Sequence, residues 1–485
     1  MKKKTQTNIE YTKKIEPSII EARKRRGENV NVNNFILDPK YLNLGAGKKY
    51  LLKTYGCQGN LADSEHIAGL LEMMGFESTE KELDADLVLF NTCAIRENAE
   101  ERVFGEIGRF ERFRKQKPNM LIGVCGCMPQ EEKTIQLIKD KFPQINIVFG
   151  THNISSLPEY VYDALNSQKH VIEVLSIEGN IYENIPVKRD HKTKAWVNIM
   201  YGCDEFCTYC IVPYTRGKER SRRPEAIIEE VKDLAKNGYV EVTLLGQNVN
   251  AYGKDFKDIN YTFADLLKDL NKTEIKRIRF TTSHPRDLDD ATIDAMALGG
   301  NIMPHLHLPV QSGNNRVLKA MNRKYTREEY LEKIKKLKEK VKGISITTDI
   351  IVAFPGETEE EFNDTMSLVD EVEFEGAYTF IYSPREGTPA AKYPNYLTEE
   401  EKHQRLLKLN EKINAYFLKG HQRFENEVVE VLVDGPSKNN PQMLCGYTKH
   451  NMLVNFEGSS NDIGKLINVK ITKAYSWHLL GEIVK

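Results

Sequence analysis

From Lys49 onward, apolar runs of strand length alternate with stretches of helical period, and this alternation limits the fold more than any other feature. Residues 50–55, 87–91, 120–125 and 147–149 are the strand candidates of a first series. They alternate with helical patterns over 61–74, 97–114, 130–142 and 157–165. Strand and helix in strict alternation predict a parallel sheet flanked by helices. A second series begins at Ala195, with strands expected at 196–200, 239–245, 277–282, 305–310, 344–354 and 377–382. Six such strands predict a partial (β/α)6 barrel, shorter than the eight-fold form. A charged helical pattern over 399–424 closes it. The period then switches to two, over 427–433, 443–447, 453–456, 466–474 and 479–484, which predicts a small antiparallel β-barrel.

The fold class is therefore α/β, in five parts. Residues 1–48 are expected to form a basic, largely disordered tail, with a short helix near 19–26. Residues 49–167 make the amino-terminal sheet domain and 168–188 a polar linker. Residues 189–419 make the barrel, and 420–485 the terminal β-barrel. Overall charge says nothing about partners, since 69 basic side chains face 70 acidic ones. The first 50 residues, however, hold 12 Lys/Arg against 5 Asp/Glu. No run of about 18 apolar residues occurs, so no membrane span is expected. The polar, basic start is read as no secretory signal peptide.

Of the eight cysteines, Cys203, Cys207 and Cys210 form a C-x3-C-x2-C run directly after a predicted strand. A [4Fe–4S] cluster normally takes four thiolates, so three on one loop leave one iron open. An open iron can chelate the amino and carboxylate groups of S-adenosylmethionine (SAM) and drive its reductive cleavage. The competing reading is structural zinc, which requires four closed ligands; no second cysteine pair or nearby Cys/His pair supplies them. Cys57, Cys93 and Cys127 each lie just past the carboxyl end of a different predicted parallel strand. Such ends form the ligand-binding edge of an open α/β sheet, so these thiols can converge on a second cluster. Three separate buried free thiols are the alternative. Cys125, inside an apolar run, is read as a core thiol, and Cys445 as packing.

Around these cysteines the resemblance to a known family becomes specific. Tyr55-Gly56-Cys57-Gln58, the stretch from Asn91 through Cys93 to Ala99, and Gly126-Cys127-Met128 resemble the three cysteine motifs of the methylthiotransferase family of radical SAM enzymes. The Cys203–Cys210 run resembles the radical SAM signature, and residues 424–485 resemble the TRAM domain. Among branches the chain is most similar to the one that modifies N6-dimethylallyladenosine in tRNA. One departure is Gly59, where relatives commonly carry Met.

The resemblance implies two [4Fe–4S] clusters, on Cys203, Cys207, Cys210 and on Cys57, Cys93, Cys127, with no catalytic residue beyond these ligands. It implies SAM as radical source and methyl donor, and methylthiolation of carbon-2 of the modified adenosine at position 37 of tRNA. Methylthiolation of a ribosomal-protein aspartate, or of another modified adenosine in tRNA, is the alternative, and a non-catalytic iron–sulfur carrier a third reading. Tyr209, Gln247, Asn248, Gln311 and Phe354 are implied as SAM contacts. A reducing donor of flavodoxin or ferredoxin type, a monomeric state and a cytoplasmic location are further expectations. Five bases in Arg216–Arg223 suggest phosphate contact. In the terminal barrel, Tyr447, Phe456, Tyr475 and Trp477 beside Lys438, Lys449, His450 and Lys473 suggest base stacking, with half of these aromatics assigned to the core.

Overall fold

A computed structural model describes residues 9–24, 31–94, 97–167, 169–177 and 181–484, with backbone alone at 97–99 and 101. Ile95 and Arg96 of the second cysteine motif lie outside the described residues, as do 1–8 and 25–30 of the tail, 168 and 178–180 of the linker, and Lys485. The chain divides into two units. One comprises Met1–Asp190, Tyr201–Asp204 and Cys210–Arg222; the other comprises His191–Met200, Glu205–Tyr209 and Arg223–Lys485.

The first unit is built on a seven-stranded, wholly parallel sheet. Its spatial order is Tyr11–Ile15, His170–Glu173, Ile147–Phe149, Leu121–Gly126, Leu87–Thr92, Lys49–Tyr55 and Glu77–Ser78. Every residue of Leu87–Thr92 and Leu121–Gly126 is buried, as expected for central strands covered on both faces. Helices Gln58–Met73 and Leu157–Ser167 pack on one face around Leu70, Leu71 and Tyr160. Helices Glu97–Gln116 and Glu132–Lys141 pack on the other around Val103, Ile107 and Ile135.

Two expectations are corrected in this unit. The tail is ordered over its described residues: Tyr11–Ile15 pairs in parallel with His170–Glu173, and Val32–Asn34 with Ile181–Glu183. Lys13 holds the edge strand through Glu159 at 2.8 Å and Glu173 at 3.1 Å, so ion pairs do there what apolar burial does at the centre. The polar linker likewise contains these two strands, His170–Glu173 and Ile181–Glu183.

In the second unit, six strands run in chain order as two parallel three-stranded sheets. They are Lys194–Asn198, Glu241–Leu245 and Arg277–Phe280, then His305–His307, Ser345–Val352 and Gly376–Ile381. Isolated bridges Ile278–Ile302 and Gln311–Ile350 extend the pairing, giving the expected partial barrel. Helix Glu399–Gln422 starts with a capping box between Thr398 and Glu401 and buries Leu409, Ile413 and Phe417 against the barrel core. Strands Val428–Pro436, Leu444–Thr448, Leu453–Phe456, Leu466–Ala474 and Leu479–Ile483 close a small barrel. Arg277, 0% exposed, ties the two barrels: it donates to Tyr447 O at 2.8 Å and to Glu430 O and Oε1 at 3.1 and 3.0 Å. Among the described residues no helix is long and apolar enough to cross a membrane.

Candidate functional site

Parallel pairing puts the carboxyl ends of Lys49–Tyr55, Leu87–Thr92 and Leu121–Gly126 side by side: Tyr55 pairs with Thr92, and Thr92 with Gly126. Cys57, Cys93 and Cys127 therefore leave the sheet at one edge. Cys57 caps helix Gln58–Met73, and its backbone N–H donates to Asn60 Oδ1 at 3.3 Å. Its thiol is held down at about 5, first by hydrogen bonding with Cys93 and then, against the cost of burial, by the Arg216 cation. Cys127 feels the same cation and the Cys57 charge, but burial dominates and pushes its thiol up. The three thiols thus form one electrostatic group within the first unit.

A buried amide network holds them there. Asn60 and Asn91 are both 0% exposed. Asn91 Nδ2 donates to Asn60 O at 2.8 Å and Ser64 Oγ at 2.9 Å, while Asn60 Nδ2 donates to Asn91 Oδ1 and Thr92 O, each at 3.1 Å. Thr92 completes it: its hydroxyl donates to Cys125 O at 2.7 Å and its carbonyl accepts from Cys127 N at 2.8 Å. Two glycines permit the close approach. A Cβ on Gly56 would lie 2.3 Å from Asn60 Oδ1, and one on Gly126, at φ +95°, 2.4 Å from Asn91 Oδ1. Gly59 differs, because its Cβ would meet only the Arg216 guanidinium at an ordinary 3.5 Å. A Cβ at this position therefore meets ordinary van der Waals contact. Cys125 sits in the core with Leu121 and Phe149.

Cys203, Cys207 and Cys210 share one loop ahead of the short helix Val212–Thr215; the first two are buried and Cys210 is half-buried. In the second unit, Arg323 places Nη1 3.4 Å from Cys207 Sγ. Glu205, between two of the cysteines, has its carboxylate beside Arg286 and 3.6 Å from His284 Nε2. The Nδ1 atom of His284 accepts the Arg286 backbone N–H at 3.2 Å, so the neutral ring carries its proton on Nε2, towards Glu205. Burial and the Arg323 cation hold His284 well below its ordinary value, keeping it neutral. Burial would raise Asp287, but Arg286, Lys254 and Asn248 keep it ionised far below the usual carboxylate range.

The implied SAM contacts fall into separate settings. Tyr209 packs on Val317, Met321 and Phe354, and the Phe354 ring meets Tyr382 edge-on at 5.3 Å. Asn248, 1% exposed, donates to Asp287 at 2.6 Å and leaves its Oδ1 buried without a partner. Gln311 has a strained φ of +69° and bridges Ile350, while Gln247 is half-buried at the end of Glu241–Leu245.

The basic run behaves differently from expectation. Arg216, Arg220 and Arg222 are all buried: Arg216 pairs with Asp63 at 2.7 Å, Arg220 lies over the Tyr201 ring at 5.8 Å, and Arg222 pairs with Glu183 at 3.0 Å. Arg223 pairs with Asp258. Arg216, Arg220 and Arg222 are therefore structural cations and not part of a phosphate-facing stripe. Sequence reasoning also missed Asn60 and Arg323, which carry no local signal. In the terminal barrel Phe456 is core, whereas Trp477 is 66% and Tyr475 38% exposed.

The donor sets fit iron–sulfur clusters: two sets of three cysteines, each with a buried arginine at one of its sulfurs. Comparison with known proteins agrees. A model described as Radical SAM superfamily matches residues 197–369, one described as Uncharacterized protein family UPF0004 matches 49–150, and one described as TRAM domain matches 422–484. A protein of Anoxybacillus flavithermus named tRNA-2-methylthio-N(6)-dimethylallyladenosine synthase is 54% identical over 489 residues, covering 100% of this chain and 93% of that one. A namesake from Bacillus cytotoxicus is 55% identical over 470 residues, covering 97% and 92%. Among solved structures, the radical S-adenosylmethionine methyltransferase TsrM of Kitasatospora setae matches with a TM-score of 0.52 at 14% identity, over 71% of this chain and 77% of that one, a likeness of fold. With the cysteine motifs, the barrel and this similarity over the whole length together, the chain belongs to the tRNA-2-methylthio-N(6)-dimethylallyladenosine synthase family of radical SAM methylthiotransferases.

Proposed function

We infer that this chain is a transferase that replaces the hydrogen on carbon-2 of N6-(dimethylallyl)adenosine, at position 37 of tRNA, with a methylthio group. The convergence of Cys57, Cys93 and Cys127 at one sheet edge, beside a chain that also carries the Cys203–Cys210 run, supports this most directly. Carbon-2 of the adenine has neither an acidic proton nor a leaving group, so general acid–base residues alone cannot activate it. When bound, a [4Fe–4S] cluster at Cys203, Cys207 and Cys210 would supply one-electron radical chemistry with SAM, and one at Cys57, Cys93 and Cys127 would supply sulfur-transfer chemistry.

The remaining work belongs to the protein. Cys203, Cys207 and Cys210 would hold one cluster, and three protein thiolates would leave it able to take SAM. Tyr209 and Phe354 offer an apolar wall, and Asn248, Gln247 and Gln311 offer polar groups, which supports them as SAM contacts. The unpartnered Asn248 Oδ1 is the strongest of these signals, since a buried acceptor without a donor implies a ligand. Exposed Trp477 and Tyr475 on the terminal barrel suit stacking with tRNA bases. A low-potential donor of flavodoxin or ferredoxin type, action as a monomer and a cytoplasmic setting complete the reading; eight reduced cysteines support the last.

The decisive test separates the triads. Cys207→Ala is expected to abolish 5′-deoxyadenosine formation. Cys93→Ala is expected to retain it while yielding no methylthiolated nucleoside from dimethylallylated tRNA. Methylthiolation by the Cys93 variant, or modification of ribosomal protein in place of tRNA, refutes the assignment.

A further inference from the structure

Each triad has one buried arginine aimed at a ligand sulfur, and the two arginines are built alike. Arg216, 8% exposed, directs Nε to Cys127 Sγ at 3.2 Å and Nη2 to Asp63 Oδ2 at 2.7 Å; Asp63 is itself 5% exposed. Arg323, 7% exposed, directs Nη1 to Cys207 Sγ at 3.4 Å, Nε to Tyr325 Oη at 3.0 Å and Nη2 to Pro309 O at 2.9 Å. Arg323 anchors both of its remaining guanidinium nitrogens and Arg216 anchors Nη2, so each nitrogen facing sulfur is held in place. A rigid fork of this kind is a pre-organised donor, which a lysine cannot reproduce.

Desolvating a guanidinium is costly unless something negative lies beside it. Arg216 has Asp63 as a formal counter-charge. Among the described residues, Arg323 donates to the neutral Tyr325 Oη and Pro309 O besides Cys207 Sγ, so a cluster held at Cys207 would be its nearest anion. A cluster held by three thiolates is anionic and gains another negative charge on reduction. A fixed cation and N–H donor at a ligand sulfur stabilise the reduced form more than the oxidised form.

We propose that Arg216 and Arg323 are positioning residues that set the reduction potentials of the two clusters separately, Arg216 through Cys127 and Arg323 through Cys207. The inference rests on the two-cluster reading. Iron content and SAM cleavage test that reading, whereas potentials test this one.

The experiment uses full-length protein reconstituted anaerobically. Arg216→Gln is placed in a background where Cys203, Cys207 and Cys210 are alanine, and Arg323→Gln in one where Cys57, Cys93 and Cys127 are alanine. Each then carries one cluster, whose potential is read by electron paramagnetic resonance during reductive titration. Each substitution is expected to disfavour reduction at least tenfold, a shift of about 59 mV to lower potential for one electron. Iron content at four per chain in the parents confirms the clusters independently. A potential equal to the parent's at either site overturns the proposal for that arginine. Where the Gln variant loads no iron, the Lys variant is read instead. Its ammonium cannot reach both partners, so a smaller shift in the same direction supports the role and an unchanged potential refutes it.

Discussion

Asn91→Ala probes how the sheet edge holds its three cysteines. The side chain makes three hydrogen bonds: to Asn60 O at 2.8 Å, to Ser64 Oγ at 2.9 Å and from Asn60 Nδ2 at 3.1 Å. The partners that remain are not orphaned. Ser64 keeps Thr54 at 2.7 Å, and the Asn60 amide keeps Thr92 O at 3.1 Å. The loss is therefore near the mean for a net hydrogen bond, roughly 1 kcal/mol each, or about 3 kcal/mol together. That corresponds to about a hundredfold increase in local opening. Hydrogen exchange followed by mass spectrometry over residues 87–127 reads it directly, because Cys127 N–H is bonded to Thr92 O. Iron retained after gel filtration reports whether the triad survives. Asn146→Ala is the control: it removes the acceptor for Ile122 N–H at 3.1 Å, away from the cysteines, and costs about 1 kcal/mol without iron loss. Exchange in the Asn91 variant within about threefold of the parent, with full iron, would refute the idea that this network sets the site.

Glu357 carries a pH signature: burial pushes its carboxyl up to about 7 from an ordinary 4.5, despite the Ala353 N–H and the Arg405 guanidinium. The folded state then binds more protons than the unfolded one between those values, so stability falls as pH rises through that window, by about 3 kcal/mol in full above pH 7. Glu357→Gln should flatten the denaturation midpoint between pH 5 and pH 8; an unchanged slope counts against this. Arg277→Met strips donors from Tyr447 O and Glu430 O and leaves Glu430 Oε1 without that cation, and should loosen the terminal barrel by roughly 3 kcal/mol. Limited proteolysis near Asn426 would report it, and parental resistance would contradict it. Trp477→Ala should weaken tRNA binding by about tenfold or more while leaving the salt slope unchanged, since stacking is lost and no phosphate contact is; equal affinity in a filter-binding assay excludes that role.

The fold was most legible where burial is complete. Leu87–Thr92 and Leu121–Gly126 are buried on both faces, so composition alone marks them, whereas terminal-barrel strands such as Leu444–Thr448 alternate buried and half-buried residues and are marked by their period of two. The edge strand Tyr11–Ile15 escaped because an edge needs no continuous apolar face, and its neighbour His170–Glu173 because it offers only two apolar residues, Val171 and Ile172. Lys13 reads as tail charge until Glu159 and Glu173, roughly 150 residues away, supply partners. The cysteines were legible because strand ends in a parallel sheet converge by topology, independent of side-chain detail.

What the sequence concealed is polarity whose partner is remote. A run of five bases within eight residues suggests a solvated or phosphate-facing stripe, yet Arg216 finds Asp63 at a separation of 153 and Arg222 finds Glu183 at 39. A local window sees only the excess of positive charge and assigns it outward. Removing a guanidinium from water needs a compensating anion, and only the tertiary fold can provide one. The anions available to Arg216 are Asp63 and the cysteine thiolates, so its burial is explained by the site it serves. In a sheet edge lacking those thiols, Asp63 alone would compensate its charge. The cysteine motifs and the basic run, separate features in the sequence, are therefore one electrostatic unit: anionic ligands make the buried cation tolerable, and the cation makes crowded thiolates tolerable in return.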